Sequence, residues 1–240
     1  MALTPEMRGQ QDGGWNTAVE AIHAYEQFSK LLETIDAADI VRVRVILAFY
    51  QHMAECSGFY EVPKKMLLTI EGKGNNITPF HKLVRRHRKT GQAIAPNANA
   101  IMKDLMGHSY ALGLRELSEV FEEAFDWDMR NAIAHADYML ASEGMRLRKR
   151  NGGQVRVIQW EEFDALISRG VNLFSFIRQI IEEYVKSYHP PKTVKSRLDG
   201  REPIADYTLY YDPSNGAFGF ISGKEPPKGY NKDAVEAKQQ

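Results

Sequence analysis

The amphipathic pattern between Glu161 and Tyr188 constrains the fold of this 240-residue chain more than any other feature. Its apolar residues recur at intervals of three and four, which places their side chains on one face of an α-helix. They are Phe163, Leu166, Ile167, Val171, Phe174, Ile177, Ile180, Ile181 and Tyr184. A long helix with one apolar face must bury that face against other elements. The pattern therefore predicts a mainly α fold in which this helix closes a bundle.

Four earlier segments repeat the helical spacing and supply partners for the closing helix. They are residues 15–34, 39–56, 62–70 and 97–125. One more helix follows them, because Asp126 or Asp128 is a good N-cap and the helix must stop by Gly144. Together these segments predict a helical bundle.

Two further segments alternate with the period of a β-strand on both sides of a turn. The first is residues 145–160, with the turn-forming sequence Asn-Gly-Gly at 151–153. The second is residues 207–222, with a turn at 212–216. We therefore expect a β-hairpin before the closing helix and a small C-terminal hairpin.

These elements suggest three parts along the chain. Residues 1–14 are polar and rich in glycine, which predicts a flexible N-terminus. Residues 15–189 form the predicted helical domain, and residues 72–92 within it are a basic insertion with six Lys and Arg residues and no acid. Residues 190–240 hold the C-terminal hairpin and a tail.

The composition narrows the functional classes. Lys and Arg together number 31, as do Asp and Glu, so a polyanion could only be bound by local patches. A single cysteine, Cys56, excludes an internal disulfide framework and cysteine-rich zinc sites, and it suits a reducing compartment. The N-terminus lacks the apolar stretch of a signal peptide, and the most apolar run, residues 40–50, is too short to cross a bilayer. We therefore expect a soluble cytoplasmic protein with no membrane partner.

Residues 128–138, Asp-Met-Arg-Asn-Ala-Ile-Ala-His-Ala-Asp-Tyr, carry the most chemistry. On a helix, Asn131 and His135 lie about 40° apart and share a face, whereas Arg130 lies about 140° from His135. Arg130 could join them on one ligand only through the length of its side chain, or if a second chain supplied the partner. A guanidinium suits a phosphate, and an imidazole can accept or donate a proton at cell pH.

The string from Arg130 and Asn131 to His135, followed by Ala136-Asp137-Tyr138, resembles the signature of the HEPN superfamily. Members of that superfamily are compact bundles of four or five helices, with this signature near the start of a late helix. The order of the segments is also similar over roughly residues 15–188. The resemblance implies a HEPN-like helical bundle in which residues 72–92 are an insertion.

The resemblance also implies a function. Many HEPN proteins are metal-independent endoribonucleases that act as toxins or antiviral effectors, and they dimerise so that two motifs form one composite active site. His135 would be the general acid or base, Arg130 would stabilise the phosphate, and Asn131 would orient or assist. Attack by the ribose 2′-oxygen would leave a 2′,3′-cyclic phosphate and a 5′-hydroxyl, with no metal or other cofactor.

Two alternatives remain open. The chain could be a catalytically inert HEPN module that binds nucleic acid or a partner protein, such as the nucleotidyltransferase-like antitoxins that pair with some members. If the motif is a coincidence, the chain would be a structural helical adaptor that binds no nucleic acid.

Basic residues outside the motif allow a functional and a structural interpretation. Those of the predicted hairpin that could bind an RNA substrate are Arg146, Arg148, Arg150 and Arg156. They could equally be the solvated face of an edge strand. Residues 81–89 could bind RNA through charge alone or form an ordinary exposed helix. The six histidines other than His135 show no metal-ligand spacing among them, so we expect no metal site.

Overall fold

The structure is a computed structural model that describes residues 17–73, 78–148, 154–196, 203–225 and 230. Its contacts divide the chain into two compact units, Met1–Ile177 and Arg178–Gln240. The division falls inside the closing helix, whereas the sequence suggests a boundary after residue 189. The predicted N-terminal segment, residues 1–14, lies outside the described residues.

The first unit is built from helices, so the predicted mainly α class is confirmed. In chain order the helices are α1 (Thr17–Thr34), α2 (Asp39–Glu55), α3 (Ser57–Ile70), α4 (Ala98–Ala111), α5 (Arg115–Glu123), α6 (Trp127–Ala134) and α7 (Trp160–Lys186), the last of which continues into the second unit. None of the helices in the described ranges is both long enough and apolar enough to cross a membrane.

The core of the first unit is a stack of aromatic rings contributed by several helices. The ring of Phe174 in α7 stacks on Phe59 of α3 at a centroid distance of 3.8 Å and on Tyr25 of α1 at 4.6 Å. Tyr50 of α2 meets Phe125 edge to face at 5.6 Å. Stacked and edge-to-face pairs of this kind add to the burial of large apolar surfaces. Five of the nine residues predicted for the apolar face of α7 are buried, and the other four are half-buried.

The predicted helix over residues 97–125 is two helices, because the chain breaks at Gly113. Gly113 has φ +77°, a conformation that side chains with a Cβ rarely adopt. The amide of Leu114 donates to the carbonyl of Ser109, and the amide of Gly113 donates to that of Tyr110. These two bonds form a Schellman motif, which ends α4 before α5 begins.

The boundary between α2 and α3 also differs from the prediction. Helix α2 ends at Glu55, and α3 begins at Ser57 instead of residue 62, with Gly58 and Pro63 inside it. The neighbouring side chains Phe59 and Tyr60 are fully buried, so packing outweighs the poor helix propensity of glycine and proline.

The predicted hairpin over residues 145–160 is present but belongs to a three-stranded antiparallel sheet. Its strands are β3 (Tyr138–Ala141), β4 (Gly144–Leu147) and β5 (Arg156–Gln159). Met145 pairs with Ile158, and Tyr138 pairs with Leu147. The turn at residues 151–153 lies outside the described residues. Helix α6 therefore ends at Ala134, well before Gly144, because the following residues pair as β3.

Residues 81–89 do not form the exposed helix considered above. His81–Leu83 is a single 3₁₀ turn, and a short ladder joins β1 (Arg85–Arg86) to β2 (Ala93–Ile94). Residues 85–94 are thus a small hairpin, and Arg85, Arg86 and Arg88 are exposed.

The second unit contains the end of α7 and another antiparallel sheet in the order β6-β7-β8. Its strands are β6 (Lys192–Ser196), β7 (Ala205–Asp212) and β8 (Ala217–Ser222). The β7–β8 pair is the predicted C-terminal hairpin. Asp212 organises its turn by accepting a hydrogen bond from the amide of Ser214 at 2.9 Å. Strand β6 is an additional element that the sequence does not signal.

Candidate active site

Helix α6 carries the motif and is fixed at its N-terminus by Asp126. The Asp126 side chain caps the helix by accepting a hydrogen bond from the amide of Met129 at 2.8 Å. The amide of Asp126 donates to the hydroxyl of Tyr50 on α2 at 2.7 Å. Burial raises the pKa of Tyr50, so its hydroxyl stays protonated. Met129 and Ala132 are buried, so the opposite face of α6 points outward.

The C-terminus of α6 presents His135 at a tight turn. The amide of Asp137 donates to the carbonyl of Ala132 at 2.8 Å, and the amide of Ala136 donates to Ile133 at 3.2 Å. These bonds form a Schellman motif with His135 as the C-cap, and Ala136 has φ +53°. The carbonyl of Asp137 then accepts the amide of Arg148 at 2.8 Å. The sheet register therefore places the residue after β4 beside the motif turn.

A cleft of about 460 Å³ opens where these elements meet. Asn131, His135 and Arg148 line it together with Asp128 and Asp137. His135 is exposed, and its ring has no hydrogen-bond partner within the ranges that the structure describes. Asn131 and His135, which are predicted to share one helix face, thus line the same cleft in the structure.

Arg130 does not line this cleft. Its guanidinium forms an ion pair with Glu55 of α2, and Nη1 donates to the Asn131 side-chain oxygen at 2.7 Å. Partial burial lowers the pKa of Arg130. Its backbone amide is also occupied, because it donates to the carbonyl of Asp126 at 2.9 Å. The structure therefore brings Asn131 and His135 together and directs Arg130 towards α2.

The other arginines predicted to bind substrate differ in their surroundings. Arg146 pairs with Glu143. Arg156 contacts Asp126 at 2.7 Å and Glu162 at 2.8 Å, so it braces the cap of α6. Arg148 has no ion pair among the described residues. Arg150 lies outside them.

The described residues that line the cleft carry charges of both signs. Arg148 is the only Lys or Arg among its described lining residues, and the carboxylates of Asp128 and Asp137 lie in the same lining. Asp128 also lies 3.8 Å from Nη1 of Arg156, so its charge is partly matched from outside the cleft.

Sequence reasoning missed Glu55, the ion-pair partner of Arg130. No local pattern marks this residue, because only the packing of α2 against α6 brings the two side chains together. Asp128 and Asp137 flank the motif in the sequence. The presence of carboxylates beside the expected phosphate site could therefore have been predicted.

No group of three His, Cys, Asp or Glu side chains able to hold a metal ion occurs in the part of the chain that the structure describes. Comparison of the chain with protein-family models, with curated proteins and with solved structures finds no match.

Proposed function

We propose that this protein is a metal-independent endoribonuclease of the HEPN type. The observation that supports the proposal is the cleft in which exposed His135, Asn131 and Arg148 face one space. These groups can transfer a proton, donate a hydrogen bond and neutralise a phosphate, which are the requirements of RNA cleavage by the 2′-hydroxyl. The motif resemblance supplies the reaction class.

In the proposed reaction His135 accepts the proton of a ribose 2′-hydroxyl, and the 2′-oxygen forms a bond to phosphorus. The bond between phosphorus and the 5′-oxygen breaks, and that oxygen takes up a proton from solvent. Arg148 lies against the phosphate, whose charge grows in the transition state, and the Asn131 amide orients an oxygen. The products are a 2′,3′-cyclic phosphate and a 5′-hydroxyl.

The proposed active form is a homodimer. One chain turns Arg130 towards Glu55, so Arg148 is the only Lys or Arg among the described residues that line its cleft. A second copy related by a twofold axis would bring another Arg130 and Arg148 to the same RNA. This arrangement would place additional positive charge against the phosphates of the RNA.

A second function is favoured by one observation. Because Glu55 and Asn131 engage Arg130, the motif could serve as a structural element of an inert module that binds nucleic acid or a partner such as a nucleotidyltransferase-like antitoxin. The two functions differ in whether His135 is needed for RNA cleavage.

The decisive experiment incubates the purified chain with end-labelled single-stranded RNA and transfer RNA in excess chelator. We expect wild type to cut, with cyclic-phosphate ends, and His135→Ala to bind RNA without cutting it. The exposed His23→Ala variant is the matched control and should cut like wild type. RNA binding without cleavage by wild type would support the inert module, and cleavage by His135→Ala would refute the assigned role of His135.

A cellular test addresses the proposed role in toxin–antitoxin or antiviral defence. RNA cleavage in the cytoplasm would harm the host, so expression of wild type should arrest growth and expression of His135→Ala should not. Equal toxicity of the two proteins at matched expression would count against nuclease action as the cause.

A further inference from the structure

A second cleft, of about 520 Å³, lies between α3, α4 and the segment 79–83. It shares no lining residue with the cleft at His135. Ligand pockets are typically about 300–1,000 Å³, so the space would accommodate a nucleotide-sized molecule. Its lining includes four lysines and two carboxylates.

Lys64 forms the base of this cleft. Its side chain is only 9% exposed, and its Nζ lies 2.7 Å from Asp104 Oδ2 and 2.8 Å from His108 Nδ1. A buried ammonium group is costly unless its charge and its donors are matched. Asp104 forms an ion pair with the Lys64 ammonium group, and His108 accepts a hydrogen bond from a second N–H of that group. The third N–H has no partner among the described residues.

The same contacts fix the tautomer of His108. A lysine ammonium group can only donate, so His108 Nδ1 must be the acceptor, and the proton of the neutral ring lies on Nε2. Nε2 is 3.0 Å from Glu71 Oε2, to which it donates. Lys73 and, to a smaller degree, His108 hold the pKa of Glu71 below its ordinary value. Both carboxylates in the lining are therefore already paired with lysines.

The other two lysines in the lining are not paired in this way. Lys82 and Lys103 are exposed and have no carboxylate partner among the described residues. The sequence from residue 72 to residue 103 contains seven Lys and Arg residues and no acid. The excess charge at this cleft is thus positive, in a chain whose formal net charge is zero.

We propose that this cleft is a binding site for a nucleotide or another phosphate ester of that size. The phosphate would lie between Lys82 and Lys103, with the free N–H of Lys64 behind it. Leu68 and Leu83 line the same cleft and offer an apolar surface to the organic part of the ligand. The proposal does not depend on ribonuclease activity at His135.

The test measures binding of AMP, ATP and inorganic phosphate to the full chain by titration calorimetry. The Lys82→Glu/Lys103→Glu variant should lose at least about tenfold in nucleotide affinity, since two charge-assisted contacts become repulsive. The matched control, Arg85→Glu/Arg88→Glu, makes the same charge change at exposed positions of the same insertion outside the cleft. It should change affinity by less than about twofold, because solvent and salt screen the charges of exposed side chains that do not line the cleft.

Equal losses in the two double variants would overturn the proposal, because they would show attraction to the whole basic segment. Failure of wild type to bind any of the three probes at millimolar concentration would also overturn it. RNA binding that both double variants abolish, without nucleotide binding to wild type, would instead identify an RNA-tracking surface. Lys64→Met, used if its circular dichroism spectrum matches wild type, should weaken phosphate binding while leaving His135-dependent RNA cleavage unchanged.

Discussion

Arg130 and Glu55 form an ion pair whose side chains are 20% and 36% exposed, between two helices. Such a pair contributes more to stability than a fully exposed pair does. When one member is removed, the remaining charge is partly buried and has no partner, which is unfavourable. We expect Glu55→Gln to lower the free energy of unfolding by about 1–2 kcal/mol. Urea denaturation followed by circular dichroism measures this change.

A double-mutant cycle separates the pair from other effects. Arg130→Met removes the same interaction from the other side, so the loss in the Glu55→Gln/Arg130→Met variant should be clearly smaller than the sum of the single losses. Strict additivity would show that the two side chains do not interact in solution.

Ala136 occupies the left-handed position that glycine usually takes at the end of a helix. A Cβ at that φ costs about 1–2 kcal/mol, and the entropy of glycine offsets about 0.5–1 kcal/mol of that gain, so Ala136→Gly should raise stability by about 0.5–1 kcal/mol. Ala134→Gly, in the last turn of α6, should instead lower stability by about 1 kcal/mol. The two unfolding curves must shift in opposite directions, and a shift in the same direction would exclude this geometry for the turn.

Among individual residues, those governed by local geometry could be predicted from the sequence. The preference of aspartate for the N-cap limited the cap of α6 to Asp126 or Asp128, and the common face of Asn131 and His135 follows from helix geometry. The partners of Arg130 and Arg156 could not be predicted in this way, because Glu55, Asp126 and the two arginines meet only after helices and strands pack.

At the scale of elements, apolar spacing located the helices, and breaks in them depended on special backbone positions. The spacing over residues 97–125 is continuous across Gly113, so periodicity alone could not show the break. Residues 138–141, Tyr-Met-Leu-Ala, suit a helix as well as a strand, and β3 forms because β4 is available as a partner. Periodicity therefore predicts faces more reliably than ends.

Gly144 begins β4 and lies close to β5 in the sheet beside the motif. It has φ +153°, and a Cβ there would overlap the carbonyl oxygen of Ile158 on β5. Because that atom belongs to the backbone, the strands would have to separate. We expect Gly144→Ala to lower the free energy of unfolding by more than about 2 kcal/mol.

Gly113→Ala is the matched control for Gly144→Ala. Gly113 also has a positive φ, but no atom lies within 4 Å of its hypothetical Cβ. Gly113→Ala should therefore lower the free energy of unfolding by about 1 kcal/mol, from backbone strain alone. Guanidinium denaturation of both variants makes the comparison, and equal losses would mean that β4 and β5 do not approach each other as closely as described.

At the scale of the whole molecule, the proposed homodimer makes a prediction that a single-chain site cannot meet. If Arg130 of one copy acts beside His135 of another, Arg130→Ala and His135→Ala are each inactive alone. When the two variants are mixed, a dimer that contains one copy of each keeps one of its two sites intact. Random mixing makes half of the dimers mixed, so activity should return to roughly a quarter of wild type.

The mixing experiment has an internal control. His135→Ala mixed with the Arg130→Ala/His135→Ala double variant forms the same dimers but never a site with a histidine, so it should stay inactive. Analytical ultracentrifugation of wild type establishes whether dimers exist at the concentrations assayed. Dimers that show no rescue would place the whole reaction within one chain, where Arg130 would have to leave Glu55 and turn towards the cleft. That result would make the Glu55–Arg130 ion pair a barrier to activity, and Glu55→Gln would then be expected to speed cleavage.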